Sequence, residues 1–320
     1  MNKIAARFRA FAEVQRWIWA AAGSFLLWLG MGLVSSRLNL ESLVSNSMSA
    51  AFLAIAAIGQ MYVISCGRGA IDLSIPGVIT ITAFLSTGII NAQDANILQG
   101  VAVSLAAGAL VGLANGLIIL FLEIPPIIAT LATGYVLTSA SLIYNEGFRT
   151  FNSAPLLVTL TRGRFLGVPF MFLVTGLLAL AAYWLMKRTV YGRSLTAVGQ
   201  NVEAAALSGI RVRRVQLAAY VISGLFSGAM GVLLAARVSG AFLGMGDSYL
   251  METIGAVVIG GTLIFGGRST VLGTLFGCLF FVIIVTAMQV AGFDAGVQKI
   301  VKGVLIILVL VVATEKPVRN

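Results

Sequence analysis

The feature that most constrains this chain is a recurrence of apolar runs, most of them about 20 residues long, separated by polar turns and loops that carry nearly all of its charge. Wound as a helix at about 1.5 Å per residue, such a run crosses the ~30 Å hydrocarbon core of a bilayer. The runs fall over 17–34, 46–65, 74–91, 97–121, 126–144, 168–186, 214–236, 250–265, 270–291 and 299–314. The alternating ten-residue segments of a membrane barrel are absent. The expected fold is therefore all-α, a polytopic membrane protein of about ten transmembrane helices forming a single domain over 1–320. Six spans lie in 17–186, a cytoplasmic loop in 187–213 and four more spans in 214–314. Composition agrees, because 10% of the residues are charged against about 25% in a soluble domain.

A net charge of +10 would suit a nucleic-acid partner if the basic residues shared one face. They fall instead between apolar runs, as retention of Lys and Arg on the cytoplasmic side requires, so no nucleic acid is expected and lipid is the surrounding medium. With the N-terminus inside, Lys3, Arg7, Arg9, Arg16, Arg68, Lys187, Arg188, Arg193, Arg211, Arg213, Arg214, Arg268, Lys316 and Arg319 are cytoplasmic. Arg37, Arg149, Arg162, Arg164, Arg237, Lys299 and Lys302 are outside. This two-to-one division puts both termini in the cytoplasm. The first apolar run is longer than the core of a signal peptide and reads as an uncleaved span.

Catalytic chemistry has little to work with. There is no histidine, both cysteines (Cys66 and Cys278) sit at or in apolar runs, and no P-loop or metal-ligand spacing occurs. No catalytic residue, metal or cofactor is assigned to the chain. Coupling to ions usually needs an ionisable group deep in a span. Asp72 and Glu123 instead fall at cytoplasmic ends, and Glu252, Lys299 and Lys302 near outer ends, all as interfacial anchors; Lys302 could also pair with Glu252 or Asp294.

What the spans do hold is neutral and polar: Gln60, Thr80, Thr82, Asn115, Thr130, Thr133, Thr138, Ser139, Ser141, Ser223, Thr286 and Gln289. Such groups exchange hydrogen bonds with a hydroxyl-rich neutral solute, although many hydroxyls bond to their own helix instead. Gln60, Asn115, Thr130 and Gln289 are the pathway candidates. Glycines four apart (Gly108, Gly112 and Gly116; Gly224 and Gly228; Gly273 and Gly277) mark close helix packing. Pro76, Pro125 and Pro126 sit where a helix begins, and Asp72 and Ser74 could cap one. "VISCGRGAIDLSIPGV" (63–78) and "LIFGGRSTVLGTLFGC" (263–278) share a Gly-Arg turn between spans, as duplicated halves do. Composition alone also admits a stand-alone channel or a secondary carrier for small neutral solutes, and a membrane scaffold that transports nothing.

One polar stretch stands apart. In "GQNVEAAALSGI" (199–210), Glu203 to Ser208 are good helix formers and Gly209 is a natural stop, giving a short helix at the membrane surface. "EAAALSG" resembles the Glu-Ala-Ala-x-x-x-Gly loop of importer-type ABC transporter permeases. The longer "YGRSLTAVGQNVEAAALSGI" resembles the same loop in the ribose and simple-sugar permeases. "AIDLS" (70–74), "NGLIILFLEIPPIIATLAT" (115–133), "AVVIGGTLIFGGRSTVLGTLFG" (256–277) and "VKGVLIILVLVVA" (301–313) extend the resemblance, in order, over nearly the whole chain.

The resemblance implies a permease subunit of the bacterial inner membrane. It would work with a second permease copy, a cytoplasmic ATPase that binds ATP-Mg, and a solute-binding protein outside that delivers a sugar or polyol. Glu203, Ala204, Ala205 and Gly209 would contact the ATPase, and 145–167 and 237–249 would meet the binding protein. Where the family reads Ser-Gly-Gly-Ile-Asp-Leu-Ser-Val-Gly, this chain has "SCGRGAIDLSIPG", with Arg68 and Pro76 added.

Overall fold

The computed structural model describes residues 17–34, 39–147 and 152–313. The basic N-terminal segment, Arg37, Arg149, Lys316 and Arg319, used above for orientation, lie outside them. The elements are α1 (Trp17–Val34), α2 (Leu40–Ile64), α3 (Ile75–Ile90), α4 (Ile97–Phe121), α5 (Pro126–Glu146), α6 (Pro155–Arg162), β1 (Arg164–Phe165), β2 (Val168–Pro169), α7 (Phe170–Arg188), α8 (Val190–Gln200), α9 (Val202–Leu207), α10 (Val212–Val238), α11 (Tyr249–Ile259), α12 (Val271–Val290) and α13 (Ala295–Ala313). The fold is helical apart from β1 and β2, which pair antiparallel.

Each expected apolar run carries a helix. Among the described residues, α2, α4, α5, α7, α10 and α12 are long and apolar enough to cross a bilayer, and α1, α3 and α11 are shorter apolar helices. Length and composition thus pick out six candidate spans among the described residues. α3 and α11 fall short for a local reason. α3 has 16 residues and α11 has 11, so they rise only about 24 Å and 16 Å. The expected span 250–265 stops at Ile259, where glycines take over: Gly261, Gly266 and Gly267 have φ of 92°, 85° and 77°. Non-helical chain, 65–74 before α3 and 260–270 after α11, continues each half-length helix.

α2 lies at the centre, with every residue from Ala50 to Ile64 buried, as suits a helix that is apolar on all sides. α7, α10, α11 and α12 surround it. Packing elsewhere is set by glycine. A Cβ on Gly108 or Gly112 of α4 would overlap the carbonyl of Gly224 or Tyr220 on α10, and one on Gly224 would overlap that of Gly108. The same device joins α11 to α12, where Gly277 faces the Ala256 carbonyl and Gly273 faces that of Gly260. Backbones meet this closely where lipid gives helices no hydrophobic reason to associate. α1 rests on α12, with Trp17 and Phe276 stacked at 5.1 Å between ring centroids.

The two long connections are not bare loops. The first contains α6, which Pro155 begins, and the β1–β2 hairpin, whose Arg164 meets Glu41 at 2.6 Å. The other contains α8 and α9. Lys302 pairs with Glu252 at 2.6 Å, both largely shielded, so that α13 is tied to α11. Glu123 and Lys299 are exposed.

Candidate functional site

α8 and α9 form a capped pair of short helices. The Thr189 hydroxyl accepts from the Gly192 N–H at 3.3 Å to begin α8. Asn201 Oδ1 accepts from the Ala204 N–H at 2.9 Å to begin α9. Glu203 then lies in the first turn, where the helix dipole favours a carboxylate. Gly209 closes α9 at φ 82°, its N–H donating to Ala206 and that of Ile210 to Ala205, at 3.0 and 3.1 Å. This left-handed closure is the one for which glycine is suited. Ala205 is buried and holds α9 down, while Glu203, Ala204 and Gly209 face outward. So does Leu207, which is 91% exposed. Sequence reasoning named the first four and missed Leu207, although a leucine beside the glycine stop of a polar loop was a visible signal.

Beneath α8 the two Gly-Arg turns come together, 200 residues apart in the chain. A Cβ on Gly199, at the end of α8, would overlap both the Ser65 carbonyl and the Gly267 N–H. One on Gly67 would press the Phe265 carbonyl at 2.7 Å, and one on Gly266 would press Gly67 at 2.5 Å. The sequence repeat is therefore a structural pair of turns, and α8 seats on both. Arg68 reaches from the first turn to form an ion pair with Glu203.

From that turn the chain runs extended to α3. Its backbone cannot bond to itself there, so side chains from neighbouring helices serve it. Gln60 Oε1 on α2 accepts from the Asp72 N–H at 3.3 Å. Thr130 Oγ1 on α5 accepts from the Leu73 N–H at 3.0 Å. Asn115 Nδ2 on α4 donates to Ser74 Oγ at 2.8 Å. Three pathway candidates, Gln60, Asn115 and Thr130, thus converge on residues 72–74. The fourth, Gln289, is exposed at the end of α12 and is not brought together with them.

The interfacial expectation for Asp72 is corrected. The residue is 3% exposed. Its carboxylate accepts from the Ser74 N–H at 2.9 Å and the Ser74 hydroxyl at 2.6 Å, and from the Ser223 hydroxyl of α10 at 2.7 Å. Asp72 lies inside the protein rather than at its surface. The reason is that 70–74 dives inward before α3 starts. Three donors satisfy the carboxylate, so its position is accounted for as the tie between α3 and α10. Around it, Gln60 Nε2, Asn115 Oδ1 and the Tyr220 hydroxyl have no partner among the described residues. Tyr220 also lines a cavity of about 310 Å³ with Arg68, Glu123, Pro125 and Gln216, at the end of the molecule that carries α9.

This arrangement, half-length helices joined through buried extended chain with a short capped helix held out at one end, defines a membrane transport subunit. Residues 42–310 match the family described as branched-chain amino acid transport system / permease component, and the chain belongs to that family. Its relatives include the ribose import permease protein RbsC of Escherichia coli K12, 34% identical over 269 residues, or 82% of each chain. The RbsC protein of Bacillus subtilis 168 is 32% identical over 81% of this chain and 80% of its own. The L-arabinose ABC transporter permease protein AraH of Azospirillum brasilense is 30% identical over 84% and 78%. No solved structure gives a significant match.

Proposed function

We propose that this chain is the membrane-spanning subunit of an ATP-driven importer for a sugar or sugar-like polyol. It would sit in a bacterial inner membrane with ten spans and both termini cytoplasmic, paired with a second permease copy. A cytoplasmic ATPase would bind ATP-Mg and press on α9, and a solute-binding protein would dock on the opposite end. There, the hairpin exposes Phe165, Leu166 and Val168, and the turn after α10 exposes Phe242. The relatives named for ribose, arabinose and galactose transport support the solute class.

The observation that carries the reading is Leu207. A leucine almost fully in solvent, on a six-residue helix whose caps and buried Ala205 fix its pose, is a contact awaiting a partner. Glu203 and Ala204 share that exposed surface, and the groove beside Gly209 and Arg211 extends it. Leu207→Asp should leave the thermal midpoint of the purified chain within the scatter of a surface change, about 0.5 kcal/mol. It should abolish co-purification of the ATPase from native membranes. Retention of the ATPase by this variant would overturn the docking role of α9.

A further inference from the structure

At the end opposite α9, a second cavity of about 290 Å³ lies between α3, α5 and the turn after α10. It is lined by Thr80, Thr138, Ser141, Leu142, Leu243, Gly244 and Asp247. Its polar groups share one property. Thr80 donates its hydroxyl hydrogen to the Pro76 carbonyl at 2.9 Å, Thr138 to Gly134 at 3.0 Å and Ser141 to Leu137 at 2.8 Å. The nearby Gly246 N–H is already given to Thr80 Oγ1 at 3.3 Å. What the side chains leave for a guest is lone pairs on three hydroxyl oxygens and the exposed carboxylate of Asp247, which no cation pairs among the described residues. The lining holds no Lys or Arg.

Resting on the transport reading above, we infer that this cavity is a contact site for one neutral, hydroxyl-rich molecule of monosaccharide size. A wall whose polar side chains offer only acceptors takes O–H donors. A carboxylate accepts two hydroxyls at once, as a vicinal diol presents them, while Leu142 and Leu243 offer apolar surface to C–H edges. Phosphorylated or carboxylated sugars meet a like charge and no cationic side chain. A bare cation is a poor occupant, since its oxygen ligands would have to close to about 2.3–2.6 Å, and here the acceptors line a space of about 290 Å³. That volume lies at the small end of ligand pockets, about 300–1,000 Å³, which excludes oligosaccharides. Gly244 sets the width: a Cβ there would press Asp247 Oδ2 at 2.8 Å.

Thiol labelling tests the site directly, because both native cysteines are buried and silent. Thr138→Cys, in right-side-out vesicles of the native membrane, should react with a membrane-impermeant maleimide. Ribose, arabinose or ribitol at millimolar concentration should slow that reaction severalfold. Ribose 5-phosphate, or exchange of sodium for choline, should not. Absence of labelling, protection by sodium alone, or labelling indifferent to every polyol would each overturn the assignment.

Asp247→Asn, exposed and free to fold, supplies a second readout in intact cells. The apparent KM for uptake of the transported polyol should rise about tenfold or more, as loss of a charged hydrogen-bond acceptor predicts. An unchanged KM would overturn the site while leaving the importer reading intact. Failure of the wild-type chain to take up any sugar would instead remove that reading.

Discussion

Arg68 holds a left-handed backbone, φ 54°, between Gly67 and Gly69 at 77° and 71°. Glycine adopts that conformation freely, whereas an L-residue pays about 1–2 kcal/mol for it. An arginine kept in such a place has to be explained by its side chain, and the side chain reaches Glu203 on α9. Both partners are well exposed, 62% and 73%, so the pair adds little to stability, where exposed pairs contribute about 0–1 kcal/mol. Relief of strain and loss of the pair oppose each other. Arg68→Gly should therefore leave thermal stability within about 1 kcal/mol, while lowering the ATPase activity that the binding protein stimulates. The charge-reversed pair, Arg68→Glu with Glu203→Arg, should recover part of that stimulation. A single variant with full stimulation would reduce the pair to a surface contact.

Among the elements, α4 and α10 depend most on their glycines, because each backbone occupies the space where the other's side chains would be. Gly224→Val places a branched side chain against the Gly108 carbonyl. It should cost at least the 1–3 kcal/mol typical of overpacking, read as a lower midpoint in detergent melts. A midpoint equal to wild type would mean the two helices part easily. This packing was legible, since Gly108, Gly112, Gly224 and Gly228 recur every four residues and repeat spacing survives folding unchanged. The helices themselves and the short helix ended by Gly209 were legible for the same reason, since period and stop signals are local. The meeting of Gln60, Asn115 and Thr130 at 72–74 was not, because it is made by tertiary packing. What else was not legible depends on chain leaving helical form inside the protein. Hydropathy continues unbroken through 260–265, so nothing in it ends α11 early. Likewise the acid in "AIDLS" looks interfacial until 70–74 is seen to run inward. Gln289 misled for the converse reason, because an amide near a helix end costs nothing when it reaches the surface.

Taken as one molecule, the chain has a cavity at each end, one beside Arg68 and Tyr220 and one beside Thr138 and Asp247. Between them lie residues 71–77 and the middle of α5. Contact there is made through glycine again: a Cβ on Gly77 would press Leu137 at 2.9 Å, and one on Gly134 would meet the Leu73 carbonyl at 3.3 Å. The extended stretch is bound at its lower end to the turn that seats α8 and at its upper end to α3. A displacement of α9 therefore has a continuous packed route to the α3–α5 seam, through Gly199, Gly67 and the Asp72 network. If that seam separates the two cavities, widening it should open a passage that needs no ATP. Gly134→Val adds two methyl groups beyond the tight Cβ and should lift α5 from Leu73. Proteoliposomes loaded with labelled ribitol and lacking ATP should then lose it several times faster than wild type, with no faster loss of a labelled disaccharide. Equal retention of ribitol by the variant would place the barrier elsewhere, on the exposed face of α5 that carries Tyr135 and Ser139.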